Sequence, residues 1–342
     1  MRVNKTYVNL ESSEKGFSLI ELLVSMVVFL IVTGSIFAVM QVAQTSRTVI
    51  NQQVPINKSL RFAMNLLGRD TYNAGFAYPL RSTVVLPNLR VSNLLQIPAD
   101  SNTTRDTMPP IITGNNLRSN TFNQTAGTMT DQVTFLYKDS TFNDKTGFAQ
   151  SLNINAATTP STGIDEIIPI SGDNSECTIN DVFLVTGNTG STVGVVTGLS
   201  GSNKVQFAEG DILNLNKTGS SGSLRKITTP ATMFRVFVIT FFVTPDGILM
   251  RREFGNAPSS ELTNGYKDEP LVYGVENFQI QYVMDDGTLS DSPTEAETNL
   301  AAIRQVRYTI TARSIDTNST GQPATVTMTQ TFSTRNLGYD AS

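Results

Sequence analysis

One carboxylate, that of Glu21, lies inside the most apolar part of the sequence. From Leu22 to Ser46 the chain carries no charged residue. An ionised acid inside a membrane-spanning helix costs about 2.5–3.5 kcal/mol on insertion scales, and such a charge usually has a partner and a function. If the chain is cut before Phe17, the cation within two helical turns is the new amino group of Phe17 itself. Ion pairing with an amine is therefore the chemistry open to Glu21.

The element that holds Glu21 is a long apolar segment that begins at Phe17. A run of about 20 apolar residues is long enough to cross a membrane as a helix. One interpretation is therefore a signal anchor or an uncleaved signal peptide that follows a polar segment, residues 1–16. However, Lys15-Gly16 directly precedes the apolar run and no A-x-A-like cleavage site follows it. These features favour cleavage before the run, which leaves the apolar segment on the mature chain.

The segment KGFSLIELLVSMVV resembles the processing motif of type IV prepilins: a basic residue, glycine, phenylalanine, and glutamate four residues further on. The resemblance implies that a prepilin peptidase cuts between Gly16 and Phe17 and that Phe17 is then N-methylated. It also implies that Glu21 pairs with the N-terminal amine of a neighbouring subunit. Opposite charges attract strongly in an apolar bundle, and each offsets part of the other's desolvation cost.

The helical pattern continues beyond the apolar segment. Apolar residues at helical spacing form one stripe of an amphipathic helix: Ile56, Leu60, Ala63, Met64 and Leu67. Gly75 suits the position just after a helix end, so one helix is predicted over about residues 17–74. Pro55 is expected to kink it, since proline removes a backbone hydrogen bond, and Gly34 is a second weak point.

The rest of the sequence predicts strands linked by polar loops, with residues 76–130 poorly periodic. Alternating or wholly apolar stretches predict strands in residues 131–140, 181–187, 211–216, 233–242, 248–254, 278–282, 306–313 and 326–332. The run at 233–242 is apolar on both faces and is expected to be a central strand. The stretches TGLSGSNK and TGSSGS are predicted to be flexible connections. The fold class is therefore α+β, with the second half of the helix covering an antiparallel sheet.

The composition excludes several kinds of catalytic and metal site. The sequence contains no histidine and a single cysteine, Cys177, and its net charge is −4. The usual hydrolase triads and an internal disulfide are thereby ruled out. Asp285-Asp286-Gly287 lacks the spacing of a calcium loop, and Arg251-Arg252 is expected to straddle the two faces of a strand, with one side solvated or paired with Glu253. We predict no catalytic, cofactor or metal residues and no enzyme activity, and the scattered basic residues give no signature of a nucleic-acid partner.

Segments such as VTPDGILMRRE, EPLVYGVENFQIQYVMDDG and RQVRYTITARS resemble the PilW-like minor pilins and, more distantly, the J-type minor pseudopilin of type II secretion. The resemblance implies a leader peptide at 1–16, a transmembrane or filament-core helix at 17–50, and at 51–342 the amphipathic helix half with a β-rich periplasmic head. The implied function is a minor pilin that starts filament assembly near the tip. The implied partners are other minor pilins, the major pilin, prepilin peptidase, the inner-membrane assembly platform and membrane lipid. A secretion pseudopilin and an adhesive or DNA-binding tip pilin remain the alternatives.

Overall fold

A computed structural model describes the chain as one long helix followed by a β-rich head. The described residues are 16–79, 84–99, 102, 104–122, 129–143, 151–154, 167–171, 174–217, 227–228, 230–293, 302–317 and 321–337. The predicted leader, apart from Gly16, and the TGSSGS stretch at 218–223 lie outside them. The elements are α1 Leu19–Asn73, β1 Val85–Pro87, α2 Arg90–Leu95, β2 Arg105–Thr107, β3 Ile111–Arg118, β4 Thr130–Lys138, β5 Leu152–Ile154, β6 Ile167–Pro169, β7 Val182–Gly187, β8 Gly190–Val195, β9 Gly198–Ser200, β10 Lys204–Gln206, β11 Ala231–Val243, β12 Ile248–Phe254, β13 Tyr266–Tyr273, β14 Val275–Met284, β15 Leu289–Ser290, β16 Ile303–Thr317 and β17 Pro323–Ser333.

Helix α1 is a single element of 55 residues. The predicted stripe is confirmed, because all five of its residues are buried. The helix ends where Gly75 takes a left-handed conformation, with φ +77°, which a residue without a Cβ adopts at low cost. Pro55 lies inside the helix, which is continuous through it, and the kink there remains a prediction.

Strand β11 is the centre of the larger sheet, as its apolar sequence predicts. Along the second half of β11 the sheet has the order β13-β12-β11-β4-β3, while β7 and β5 pair with its first half and β8 pairs with β7. All these pairings are antiparallel. A tight turn follows β11: the Gly247 N–H donates to the Thr244 backbone oxygen at 2.9 Å, and Gly247 has φ +72°.

A second, four-stranded antiparallel sheet has the order β15-β14-β16-β17. Its inward side chains alternate as predicted, with Phe278, Ile280 and Tyr282 of β14 buried. The second half of α1, this sheet and strands β4, β11, β12 and β13 together enclose one apolar core. The α+β arrangement of a long helix on antiparallel sheet is therefore confirmed, whereas its division into two main sheets was not predicted.

Two predicted assignments were wrong, and a third region contains more regular structure than its pattern indicated. Residues 211–216 form turns instead of a strand, because the Asp211 carboxylate accepts the backbone N–H groups of Leu213 and Asn216, which gives the chain an alternative to strand pairing. The stretch 197–204 is not a flexible connection, since β9 pairs with β10 across it. The poorly periodic region 76–130 contains the eight-residue strand β3.

Candidate functional site

The predicted processing site lies directly before α1 and is open to solvent. Phe17 is 84% exposed, and Gly16 is also exposed. A Cβ built at Gly16 would meet no atom within 4 Å, so nothing within the described chain requires glycine there. If the bond after Gly16 is cut, the need for a small residue must come from the enzyme that cuts it.

The Glu21 carboxylate lies at the first turn of α1. The backbone N–H of Ser18 donates to its Oε2 at 3.0 Å, and the Glu21 N–H donates to the Ser18 oxygen at 3.0 Å. This position is favourable because the N-terminal end of a helix carries a partial positive charge. Within the part of the chain that the structure describes, no basic side chain pairs with Glu21. A carboxylate accepts about four hydrogen bonds, so an incoming ammonium group can bind without displacing Ser18.

The first half of α1, residues 19–46, presents apolar side chains on all sides and packs against none of the described residues of the head. It is the one described helix long and apolar enough to cross a membrane. More than half of each of the following side chains is exposed: Leu19, Ile20, Leu22, Leu23, Val24, Met26, Val28, Phe29, Leu30, Ile31, Ile36, Phe37, Val39, Met40 and Val42. Such a surface must be covered by lipid or by other helices.

Three of the hydroxyl groups in this apolar half are satisfied within the helix itself. The hydroxyls of Ser25, Ser35 and Thr45 donate to the backbone oxygens of earlier residues at 2.8–3.0 Å. In an apolar medium each unsatisfied polar group would cost several kcal/mol. The segment can therefore enter a bilayer or a helix bundle with Glu21 as its only charged side chain.

The second half of α1 packs closely on the head. Leu60, Met64 and Leu67 are fully buried in the core shared with the two sheets. Gly68 faces Phe332 of β17 so closely that a Cβ at this position would collide with the ring. The Thr71 hydroxyl bonds both the Leu67 oxygen and the Tyr308 hydroxyl, each at 2.6 Å.

A buried ion pair joins the end of α1 to the larger sheet. The Asp70 side chain is fully buried, and its Oδ2 accepts from Arg251 Nε at 3.1 Å. Its Oδ1 accepts from the Tyr137 hydroxyl at 3.0 Å and from Arg69 Nε at 2.9 Å. Arg251 is itself only 8% exposed and also lies 3.3 Å from Glu253. Removal of either partner would leave the other, still buried, with only more exposed groups to balance its charge: Arg69 beside Asp70, and Glu253 and Glu269 beside Arg251.

The electrostatics of this network hold its members in fixed protonation states. Burial raises the pKa of the Tyr137 hydroxyl, and the nearby Asp70 carboxylate raises it further. Burial lowers the pKa of Arg251, but Asp70 and Glu253 outweigh that effect and raise it overall. Tyr137 therefore stays a neutral donor and Arg251 stays a cation at any physiological pH. The network is therefore suited to hold the end of α1 permanently against the larger sheet.

One side of Arg251-Arg252 was expected to be solvated or paired with Glu253. Arg251 does pair with Glu253, at 3.3 Å, and Arg252 pairs with Asp268 at 2.7 Å. The role of Asp70 was missed. Its signal was present, since Asp70 lies three residues after Leu67 and so continues the buried stripe of α1. A charged residue on an apolar stripe predicts a buried partner, but its spacing does not reveal which residue that partner is.

The described part of the head offers little for catalysis. Among its residues, no three acidic or cysteine side chains are grouped so that they could hold a metal ion. A cavity beside Asp106 has a volume of about 30 Å³, which is comparable to a single water molecule. The Asp106 carboxylate accepts the N–H groups of Leu89 and Val91 at 2.8 Å and so serves to begin α2. Cys177 is buried in an apolar cluster.

Comparison with known proteins identifies one feature. Residues 12–37 match the family described as the prokaryotic N-terminal methylation motif. A search of curated proteins finds no match. Proteins with this motif are processed by prepilin peptidase and are structural subunits, not enzymes. The motif, together with a membrane-length apolar helix joined to an antiparallel β head, supports assignment of the chain to the type IV pilins and pseudopilins.

Proposed function

We propose that this chain is a minor type IV pilin of the PilW-like kind. In this proposal the precursor is cut between Gly16 and Phe17, and the mature chain is held in the inner membrane by residues 17–50 with its head in the periplasm. The chain then enters a filament, where Glu21 pairs with the N-terminal amine of a neighbour. Its partners are other minor pilins and the major pilin, acting with the assembly platform of the inner membrane.

The observation that carries this proposal is the division of α1 into two halves. The first half is apolar on all sides and carries one charge, Glu21, at its start. The second half is bound to the head by an apolar core and by the Asp70–Arg251 ion pair. A subunit built in this way can lose its lipid environment to a bundle of identical helices without any rearrangement of its head.

The size of the head favours a place near the filament tip. Residues 76–342 follow the helix. This length exceeds the common size of a single domain. Subunits whose helices pack side by side follow one another at a small axial step, so large heads with long loops would crowd each other along a shaft. A tip position leaves room on one side. We therefore propose that a few copies act early and start assembly.

The test is deletion of the gene followed by electron microscopy of the cells. Loss of an initiator should lower the number of filaments per cell and leave their length nearly unchanged. Gold-labelled protein should lie at filament ends in the complemented strain. Labelling evenly along the shafts at high copy would replace the initiator role with that of a shaft subunit.

A further inference from the structure

Strand β17 forms an open edge of the four-stranded sheet. It pairs with β16 without interruption from Thr325 to Ser333, and within the described residues no strand pairs with its other side. Thr329, Gln330 and Thr331 are all exposed. Because successive side chains of a strand point to opposite faces, this run of three shows that both faces of the sheet are open at residues 329–331.

The sequence of β17 lacks the features that usually prevent another strand from pairing with an exposed edge. Exposed edges usually carry charged side chains, prolines within the strand or bulges that block another strand. From Pro323 to Ser333 there is no charged residue, and the one proline stands at the start of the strand. Threonine, valine and phenylalanine, which favour strands, make up much of the sequence.

The outer strands of the larger sheet are protected in these ways. Strand β13 carries Lys267, Asp268 and Glu269 in succession, followed by Pro270, and its register with β12 is broken. Strand β3 has a register break before Arg118. Strand β17 is thus a long, regular and uncharged edge, whereas β13 and β3 are blocked.

The side chains of β17 show what an added strand would carry. On the outer face, Thr327 and Thr329 pair with Thr311 and Thr309 of β16 at 3.0 Å, so hydroxyl-bearing residues would extend this ladder. On the inner face, Met328 is only partly buried at the margin of the core. An apolar side chain beside it would complete the burial.

We propose that β17 receives an additional strand from the head of a different prepilin-type subunit, an inference that rests on the proposed function. The position of the edge favours this occupant. Helix α1 lies directly against β17 through Gly68 and Phe332, and Arg335, just after β17, donates to the Tyr72 hydroxyl at 2.6 Å. A subunit that packs along α1 therefore brings its own head to this edge. Main-chain hydrogen bonds supply the affinity of such strand addition.

The experiment places a photo-activated benzophenone side chain at position 329 of the full-length chain, expressed in cells that assemble filaments. The matched control carries the same group at Thr309, the cross-strand partner of Thr329 on an interior strand. After irradiation, the expected result is a covalent adduct with a second, different prepilin-type subunit from position 329 and none from position 309. Adducts from both positions would show docking on the outer face and would overturn the proposal, as would an adduct with a second copy of this chain.

A second variant tests the same edge by placing an inward-pointing charge on β17. Gln330 is exposed, so Gln330→Lys should fold normally, yet a strand paired with β17 would bury the ammonium group. The adduct from position 329 should be lost in this variant and retained in Gln305→Lys, which alters an exposed glutamine of β16. If the chain is found in filaments but position 329 gives no adduct, the edge proposal is wrong while the pilin assignment stands. If the chain is absent from filaments, both fail.

Discussion

The apolar side chains on the two halves of α1 are covered in different ways. Both carry apolar side chains and one carboxylate, but the second half buries its stripe against its own head and the first half buries nothing within the described chain. Asp70 has an arginine and two further donors around it, whereas Glu21 has one backbone N–H. The difference indicates that the second half is completed by this chain and the first half by other molecules.

The largest effect is expected when cleavage of the leader before Phe17 is blocked. Gly16→Val should leave the precursor uncut and abolish assembly, because an uncut chain has no amine at Phe17 to offer. N-terminal sequencing of the membrane-bound protein measures the effect. Gly34→Val is the control, since a Cβ at Gly34 also meets no atom within 4 Å. A mature N-terminus other than Phe17 in the wild type would contradict the assigned site.

Truncation tests whether the second half of α1 belongs to the head. A fragment of residues 51–342 should be soluble, because it keeps the stripe that covers the sheets. A fragment of residues 76–342 should aggregate, because loss of the helix exposes the apolar core around Tyr308 and Phe278. Size-exclusion chromatography separates the two outcomes. A monomeric, folded 76–342 fragment would show that the helix is not needed to cover the core.

Removal of Asp70 should destabilise the head without affecting the first half of α1. Asp70→Ala leaves the buried Arg251 cation with only the more exposed Glu253 and Glu269 as partners, and loss of a buried ion-pair partner costs about 3–5 kcal/mol in comparable cases. Chemical denaturation of the full-length chain in detergent measures the loss. The double variant Asp70→Ala with Arg251→Met should recover part of it, since no charge is then left in the core. Equal loss in the single and double variants would contradict an ion pair that matters through its charge.

A third carboxylate, Asp131, is buried, and among the described residues no basic side chain pairs with it. It accepts the N–H groups of Asn116 at 2.8 Å and Ile280 at 2.7 Å and so links the two main sheets. Burial raises its pKa to about 6, although these two donors oppose the shift. The folded state therefore binds a proton more tightly than the unfolded state, and stability should fall as the pH rises from about 4 to 6, by about 3 kcal/mol for a two-unit difference in pKa.

Asp131→Asn isolates this contribution, because other carboxylates titrate in the same range. The free energy of unfolding should change less between pH 4 and pH 7 in the variant than in the wild type. Asp131, which is held by backbone N–H groups, thus differs from Asp70, which has the cationic Arg251 as a neighbour. An identical pH dependence in the two proteins would show that Asp131 does not titrate in this range.

The local pattern of the sequence was sufficient for the elements and insufficient for their long-range contacts. The stripe from Ile56 to Leu67, the end of α1 at Gly75 and the central position of β11 follow from periodicity and turn chemistry. The Asp70–Arg251 pair joins residues 181 positions apart, which no spacing rule connects. The strand predicted at 211–216 does not form, because the Asp211 carboxylate accepts hydrogen bonds from the backbone N–H groups that a strand would need for pairing.

The most direct test of the account is the incorporation of Glu21→Leu into filaments, normalised to its level in the membrane. The variant should insert at least as well as the wild type, because it removes a charge that is costly in the bilayer. Its share in sheared filaments should fall sharply, because the amine of a neighbouring subunit loses its partner. Equal incorporation of Glu21→Leu and the wild type would contradict the claim that the first half of α1 is completed by other subunits through this carboxylate.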